Sequence, residues 1–204
     1  MTEKFLEKTY ALGTVKETLE HYNRWAESYD AEIAENNYAT PGRIADALWS
    51  FLPSPQAPVL DFGCGTGLSG IALRRVGYET VDGLDPSPAM LDVARTKSAH
   101  RRLSLLKADH SVPYAPGTYR AVVACGVLGT GAAPPAVFGR LMHSLSKGEL
   151  LAFSLNDHAL ADPSYTGAIN EWLDCGAARL LFREHGPHLP GLDLNADVYV
   201  IEKA

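Results

Sequence analysis

A chain of 204 residues, 46% hydrophobic and 21% charged, has the size and balance of one folded domain, and folding would bury roughly 70% of its extended surface. Its 18 basic and 24 acidic residues give a net charge of −6, and no basic run exceeds the pairs Arg74-Arg75 and Arg101-Arg102, so no nucleic-acid partner is expected. Three scattered cysteines (Cys64, Cys125, Cys175) without a C-x-x-C pair suggest neither a disulfide framework nor a metal site.

Taken in chain order, the N-terminus is charged and lacks the apolar core of a signal peptide, and no apolar stretch approaches the ~20 residues that cross a bilayer. A cytoplasmic protein off the membrane is expected. Val15, Leu19, Tyr22, Ala26 and Tyr29 then recur on one face of an amphipathic helix. Thr40-Pro41 starts a second helix, with an apolar stripe of Ile44, Ala47, Leu48 and Phe51 that Pro53 and Pro55 end. Residues 1–56 are therefore expected to form a helical cap, and residues 57–204 one further unit. From Pro58 onward short apolar runs alternate with helix-length segments. Strands are predicted over residues 59–62, 80–84, 103–107, 120–125 and 149–155, with helices over 68–76, 87–98 and 135–145. Such alternation predicts a parallel sheet with helices on both faces. After a helix near residues 167–175, strands over 178–182 and 198–201 flank a Gly/Pro-rich segment too short for a crossover. They should close the seven-stranded sheet as an antiparallel hairpin.

The strongest local signal is VLDFGCGTG at residues 59–67: an apolar strand reaches Asp61 and runs through Gly63, Gly65 and Gly67 into a helix. Such glycines permit unusual backbone angles and let a ligand approach the main chain, at the strand ends where open parallel sheets bind ligands. An overlapping G-x-G-x-x-G over residues 65–70, with Asp85 beyond it, also fits a dinucleotide site and keeps a nicotinamide-dependent oxidoreductase as an alternative. Asp61 argues against it, because a pyrophosphate prefers backbone N–H groups and a positive helix end to a carboxylate. Nor does the remainder of the chain leave room for a substrate domain.

A cationic ligand suits Asp61 better, and here the residues resemble the class I S-adenosylmethionine-dependent methyltransferases. The first motif is Asp61-Phe62-Gly63-Cys64-Gly65-Thr66-Gly67; the second is VDGLDPSPAML, residues 81–91; the third is LLKADHS, residues 105–111. The resemblance implies a Rossmann-like doubly wound sheet and S-adenosylmethionine as cofactor. It also implies that Asp61 serves the methionine ammonium while the glycine loop lies against the cofactor. Asp85 would accept from both ribose hydroxyls, with Pro86 and Met90 on the adenine side. Asp109 would cap the adenine amino group, His110 would flank the ring, and Cys125 would lie where the backbone touches the cofactor. Asp61, Asp85 and Asp109 are evenly spaced, each after a predicted strand, as one strand–helix–strand unit per acid requires. The segment Tyr22-x-x-Trp25-Ala-x-x-Tyr29-Asp30 followed by Thr40-Pro41 is similar to small-molecule methyltransferases, including the type found in the Williams–Beuren chromosomal region. By that likeness Trp25 is a lid residue over the cofactor.

Methyl transfer asks mainly for alignment and exclusion of water, with a base only where the acceptor carries a proton of high pKa. The histidines weighed are His143, His158, His185 and His188; His158, after the fifth predicted strand, is the favoured base. His185-Gly-Pro-His188 has loop character and no acidic or cysteine partner at ligand spacing, against a metal site. The expected activity is methyl transfer to a small molecule. The alternative from another class is a non-catalytic protein that binds the same cofactor or its demethylated product.

Overall fold

Period-two alternation along the strands divides their side chains between two cores. In the computed structural model, which describes residues 5–9, 12–107 and 111–204, the strands are β1 (Val59–Phe62), β2 (Val81–Asp85), β3 (Arg102–Leu105), β4 (Ala121–Ala124), β5 (Leu150–Asn156), β6 (Ala178–Leu189) and β7 (Leu194–Lys203). Val59, Ala121, Val123, Ala152 and Val200 point to one face, where α3 (Thr40–Phe51) and α4 (Leu68–Val76) cover them through Ile44, Leu48 and Leu73. Leu60, Phe62, Val122, Phe153 and Ile201 point to the other, covered by α6 (Ala136–His143) and α8 (Pro163–Asp174) through Phe138, Leu141 and Ile169. Phe153 is fully buried, with Tyr199 stacked on it at 4.8 Å and Phe138 edge-on at 5.4 Å. Phe153→Ala should therefore cost about 3–5 kcal/mol, read as a lowered denaturation midpoint with an unchanged slope.

The strand order is β3-β2-β1-β4-β5-β7-β6, with the first five strands parallel and β7 antiparallel to both neighbours. Helix α5 (Pro88–Lys97) follows β2, with the Ser87 hydroxyl accepting from the Met90 N–H as its cap. The fold and its five parallel strands match expectation, with shifts of one or two residues at several ends. The terminal hairpin is longer than expected. Residues 186–189, given to a loop for their Gly and Pro, lie within β6. β6 is the sheet's edge, where a proline's missing N–H is tolerated, and a register shift follows Pro187. Arg43 of α3 donates to the carbonyls of Glu184, Pro187 and Ala196, fastening that irregular stretch. α8 begins at Pro163, four residues before its predicted start, because Asp162 caps it and proline fits its first turn. The short α7 (Asp157–Leu160) was not predicted, and Phe51, assigned to the buried stripe, is 40% exposed.

Ahead of the sheet, α1 (Leu6–Thr9) and α2 (Val15–Glu35) form a third apolar cluster, in which Leu6, Trp25 and Ile33 meet Leu189 of the hairpin. Among the described residues no helix is long and apolar enough to cross a membrane.

Candidate functional site

The strand order reverses between β1 and β4, where an open α/β sheet leaves a crevice beyond its carboxyl ends. A cavity of about 850 Å³, its open mouth included, lies there. Phe62, Gly63 and Gly65 reach it from β1 and the loop after it; Asp85, Pro86, Ser87 and Met90 from β2 and α5; Cys125, Gly126 and Val127 from the end of β4.

The glycine loop is pinned to β2: the Gly63 and Cys64 N–H groups donate to the Leu84 carbonyl at 2.7 and 2.9 Å. Gly63 (φ +71°) and Gly65 (φ +51°) take left-handed conformations, for opposite steric reasons. A Cβ on Gly63 would lie 2.4 Å from Val127 Cγ2, whereas one on Gly65 would meet nothing within 4 Å. Gly65 therefore presents bare backbone to the cavity. Its N–H donates to Asp85 Oδ2 and the Ser87 N–H to Asp85 Oδ1, both at 2.8 Å, which fixes that carboxylate with lone pairs to spare on each oxygen. Burial raises the Asp85 carboxyl to about 6, with the negative Asp61 nearby adding to the effect and the two N–H donors opposing it.

Asp61 takes a different position from Asp85. The alternation of β1 turns its side chain to the α4 face with Val59, so it is fully buried beneath the loop and does not line the cavity. Its Oδ2 accepts from the Ser69 hydroxyl at 2.7 Å and meets His100 Nε2 at 2.9 Å, while its Oδ1 has no partner among the described residues. His100 escaped the sequence reading. Its ring fills the space above Gly67, Gly70 and Gly83, and those glycines were the only signal that something bulky packs there. Cys64 is buried on the same side; burial and the carboxylates of Asp61 and Asp85 push its thiol well up, which leaves no nucleophile. Burial likewise pushes the Cys125 thiol up to about 12. Asp109 and His110 lie outside the described residues, and β3 ends at Leu105.

Helix α2 roofs the cavity. Val15, Leu19, Tyr22 and Tyr29, the periodic stripe seen in the sequence, line it, while Trp25 turns into the apolar cluster and is 1% exposed. Two contacts clamp the roof. Asp30 accepts from the Thr66 hydroxyl of the glycine loop at 2.6 Å and pairs with Lys97, and Asn23 Oδ1 accepts from the Ser87 hydroxyl at 2.6 Å. Past Tyr22, Tyr29, Gly126 and Ala132 the cavity adjoins a second chamber, bounded by Trp25, Tyr38, Ser154 and His188. His158 is exposed on α7 and lines neither space. His185 turns to Asp197 and His188 to Thr40, so the two imidazoles do not converge.

Residues 59–148 match the family model described as a methyltransferase domain. Human methyltransferase-like protein 27 is 32% identical over 168 residues, covering 81% of this chain and 68% of that protein. The chain belongs to the class I S-adenosylmethionine-dependent methyltransferases. The cattle 18S rRNA (guanine-N(7))-methyltransferase is 45% identical over 65 residues, 32% of this chain and 23% of that one. In fold, the chain resembles a S-adenosylmethionine-dependent methyltransferase of Thermotoga maritima, described as a possible histamine N-methyltransferase, with a TM-score of 0.62 at 14% identity over 91% of this chain and 99% of the other. Membership in this class makes the protein an enzyme and S-adenosylmethionine its cofactor; the oxidoreductase and the non-catalytic binder are set aside.

The residues of this methyltransferase fit that cofactor. A carboxylate held by two N–H groups suits a vicinal diol, and the bare backbone at Gly65 leaves space that a Cβ would fill. Phe62, Met90, Leu106 and Val127 give apolar walls for a flat ring, and the partnerless oxygen of Asp61 leaves negative charge beneath the loop for a cation. When bound, S-adenosylmethionine supplies an electrophilic methyl group.

Proposed function

We propose that this methyltransferase acts on a small-molecule acceptor in the cytoplasm, without nucleic acid or membrane as partner. In this reading Asp85 accepts from the ribose hydroxyls, and Gly63, Gly65 and Gly67 shape the loop that the cofactor lies against. Pro86 and Met90 pack on the adenine, Asp109 and His110 complete its surround, and Cys125 borders the reacting end. Phe62 borders the cofactor's ring, Cys64 holds the loop from below, and Asp61 acts through its charge. Within residues 1–56, α1 and α2 serve as the lid, with Trp25 anchoring α2 to the hairpin, while α3 packs against the sheet.

One observation carries the small-molecule reading. The cofactor cavity adjoins a short side chamber walled by α1, α2 and β6, where a polymer substrate would need a long groove. A lid of this kind also keeps water from a reactive sulfonium. Labelled methyl transfer should therefore appear in a small-metabolite pool and be absent from ribosomal RNA and ribosomal protein offered under the same conditions. Transfer to either polymer with none to the metabolite pool would overturn this reading.

A further inference from the structure

The buried pair of Asp61 and His100 beneath the glycine loop is built at a loss to stability. Both side chains are fully enclosed, with His100 Nε2 2.9 Å from Asp61 Oδ2, and the Ser69 hydroxyl donates to the same oxygen. A carboxylate only accepts, so Nε2 carries the hydrogen of that bond. Asp61 Oδ1 and His100 Nδ1 are then left with no partner among the described residues. Two unmet polar atoms in one buried pair are a loss that a well-packed apolar pair would not carry. Glycines make the room. A Cβ at Gly70 of α4 would strike the imidazole at Cε1 and Nε2, and one at Gly83 of β2 would lie 2.9 Å from its Cδ2. Neither glycine takes a left-handed φ, so the backbone does not require them; the ring does. Glycine inside a helix or a strand is a second loss. A ring that only filled space would be replaced to advantage by leucine, which has no Nδ1 to leave unmet. What leucine lacks is the donor to Asp61.

We propose, resting on the charge role given to Asp61 above, that His100 is a positioning residue for the amino-acid end of the cofactor. Its Nε2–H and the Ser69 hydroxyl together hold Oδ2, which fixes the carboxylate and leaves Oδ1 unspent. The basic side chains beside His100 in the chain are committed elsewhere, Lys97 to Asp30 and the Thr66 carbonyl, and Arg101 to Asp82. The charge of Asp61 is thereby kept for the ammonium group of the bound cofactor, in a dry setting where it acts more strongly than at a surface. Without the Nε2–H the carboxylate loses one of its two donors and its fixed direction, and the ammonium end is held less well. The ribose and adenine, which Asp85, Pro86 and Met90 meet in the proposed binding mode, do not sense the change. His100 thus acts through Asp61 and sets how strongly the protein prefers a nucleoside that carries an amino-acid chain.

The test uses the full chain with S-adenosylhomocysteine and with 5′-methylthioadenosine, which keeps the adenine, ribose and sulfur but lacks the amino-acid chain. His100→Leu removes the donor at nearly constant volume, and His100→Gln returns an N–H at the reach of Nε2. Calorimetry should show S-adenosylhomocysteine weakened roughly tenfold in His100→Leu, 5′-methylthioadenosine unchanged within about twofold, and most of the loss recovered in His100→Gln. Asp61→Asn should show the same selective loss, and adding His100→Leu to it should weaken binding by less than about twofold more. In the wild type, S-adenosylhomocysteine should move the side-chain nitrogen resonances of His100, and 5′-methylthioadenosine should leave them in place. Equal weakening of both ligands in His100→Leu would reduce the ring to packing and overturn the proposal. So would full affinity for S-adenosylhomocysteine in that variant, or a glutamine variant no better than leucine. Resonances that both ligands move, or that neither moves, overturn it as well, and that measurement needs no variant to fold. Asp61→Asn without the selective loss would strike at the charge role of Asp61 and take this proposal with it. The loss in Asp61→Asn but not in His100→Leu removes His100 alone.

Discussion

Gly65→Asn should fold normally and lose cofactor binding by more than about a hundredfold, whereas Gly63→Ala should bind cofactor but fold poorly. Both glycines sit at positive φ, yet their surroundings separate the outcomes. Asparagine tolerates the left-handed region better than other side chains, so at φ +51° the backbone cost is small. Its Cβ has no neighbour to strike, and the side chain extends into the cavity proposed for the cofactor. At Gly63 the added methyl would sit 2.4 Å from Val127 Cγ2. Overpacking and the left-handed φ together should cost about 2–5 kcal/mol. Val127→Ala in the same chain should return the overpacking part and leave the backbone part, which a double-mutant cycle in melting experiments separates. Normal cofactor affinity in Gly65→Asn, or an unshifted melting temperature in Gly63→Ala, would show that the loop is not held as described.

Much of this architecture was legible because local signals agreed with one another. The glycines after an apolar strand and the alternation of strands with helices both pointed to the same sheet, and β1 and α4 fall on their predicted residues. What periodicity could not decide was which stripe of α2 faces what. The stripe Val15, Leu19, Tyr22 and Tyr29 is apolar enough to be core, but it lines the cavity, because Trp25 and Ile33, next to it on the helix, have Leu189 of the distant hairpin to pack against. Such a choice depends on the far end of the chain. His100 was invisible for the same reason: its partner Asp61 is far away in sequence, and a single histidine at a helix exit carries no pattern. The hairpin length was masked by Gly186 and Pro187, residues that read as loop until an edge strand and the guanidinium of Arg43 make a place for them.

With Asp85 in its proposed role as acceptor from the ribose hydroxyls, Asp85→Ala should weaken S-adenosylmethionine binding by about 1.5–3 kcal/mol, or roughly 10–150-fold. The same carboxyl gives the wild type a pH signature. Folding raises it from 3.8 to about 6, chiefly by burial, so the folded chain binds a proton there that the unfolded chain has released. In the free protein, the stabilising effect of that proton is fully present below about 4 and is lost as pH rises through about 6. Cofactor binding has the opposite slope, because only the ionised carboxylate accepts fully from the diol. Affinity measured by calorimetry should be level above neutrality and about tenfold weaker at roughly pH 5, with about one proton released on binding there. In Asp85→Ala the weaker affinity that remains should show no such slope. A wild type whose affinity is level down to pH 5, or an alanine variant that keeps the slope, would mean that another group holds the ribose. The two opposed slopes share one origin: the carboxylate is kept out of water in the free protein so that it is already aimed when the cofactor arrives.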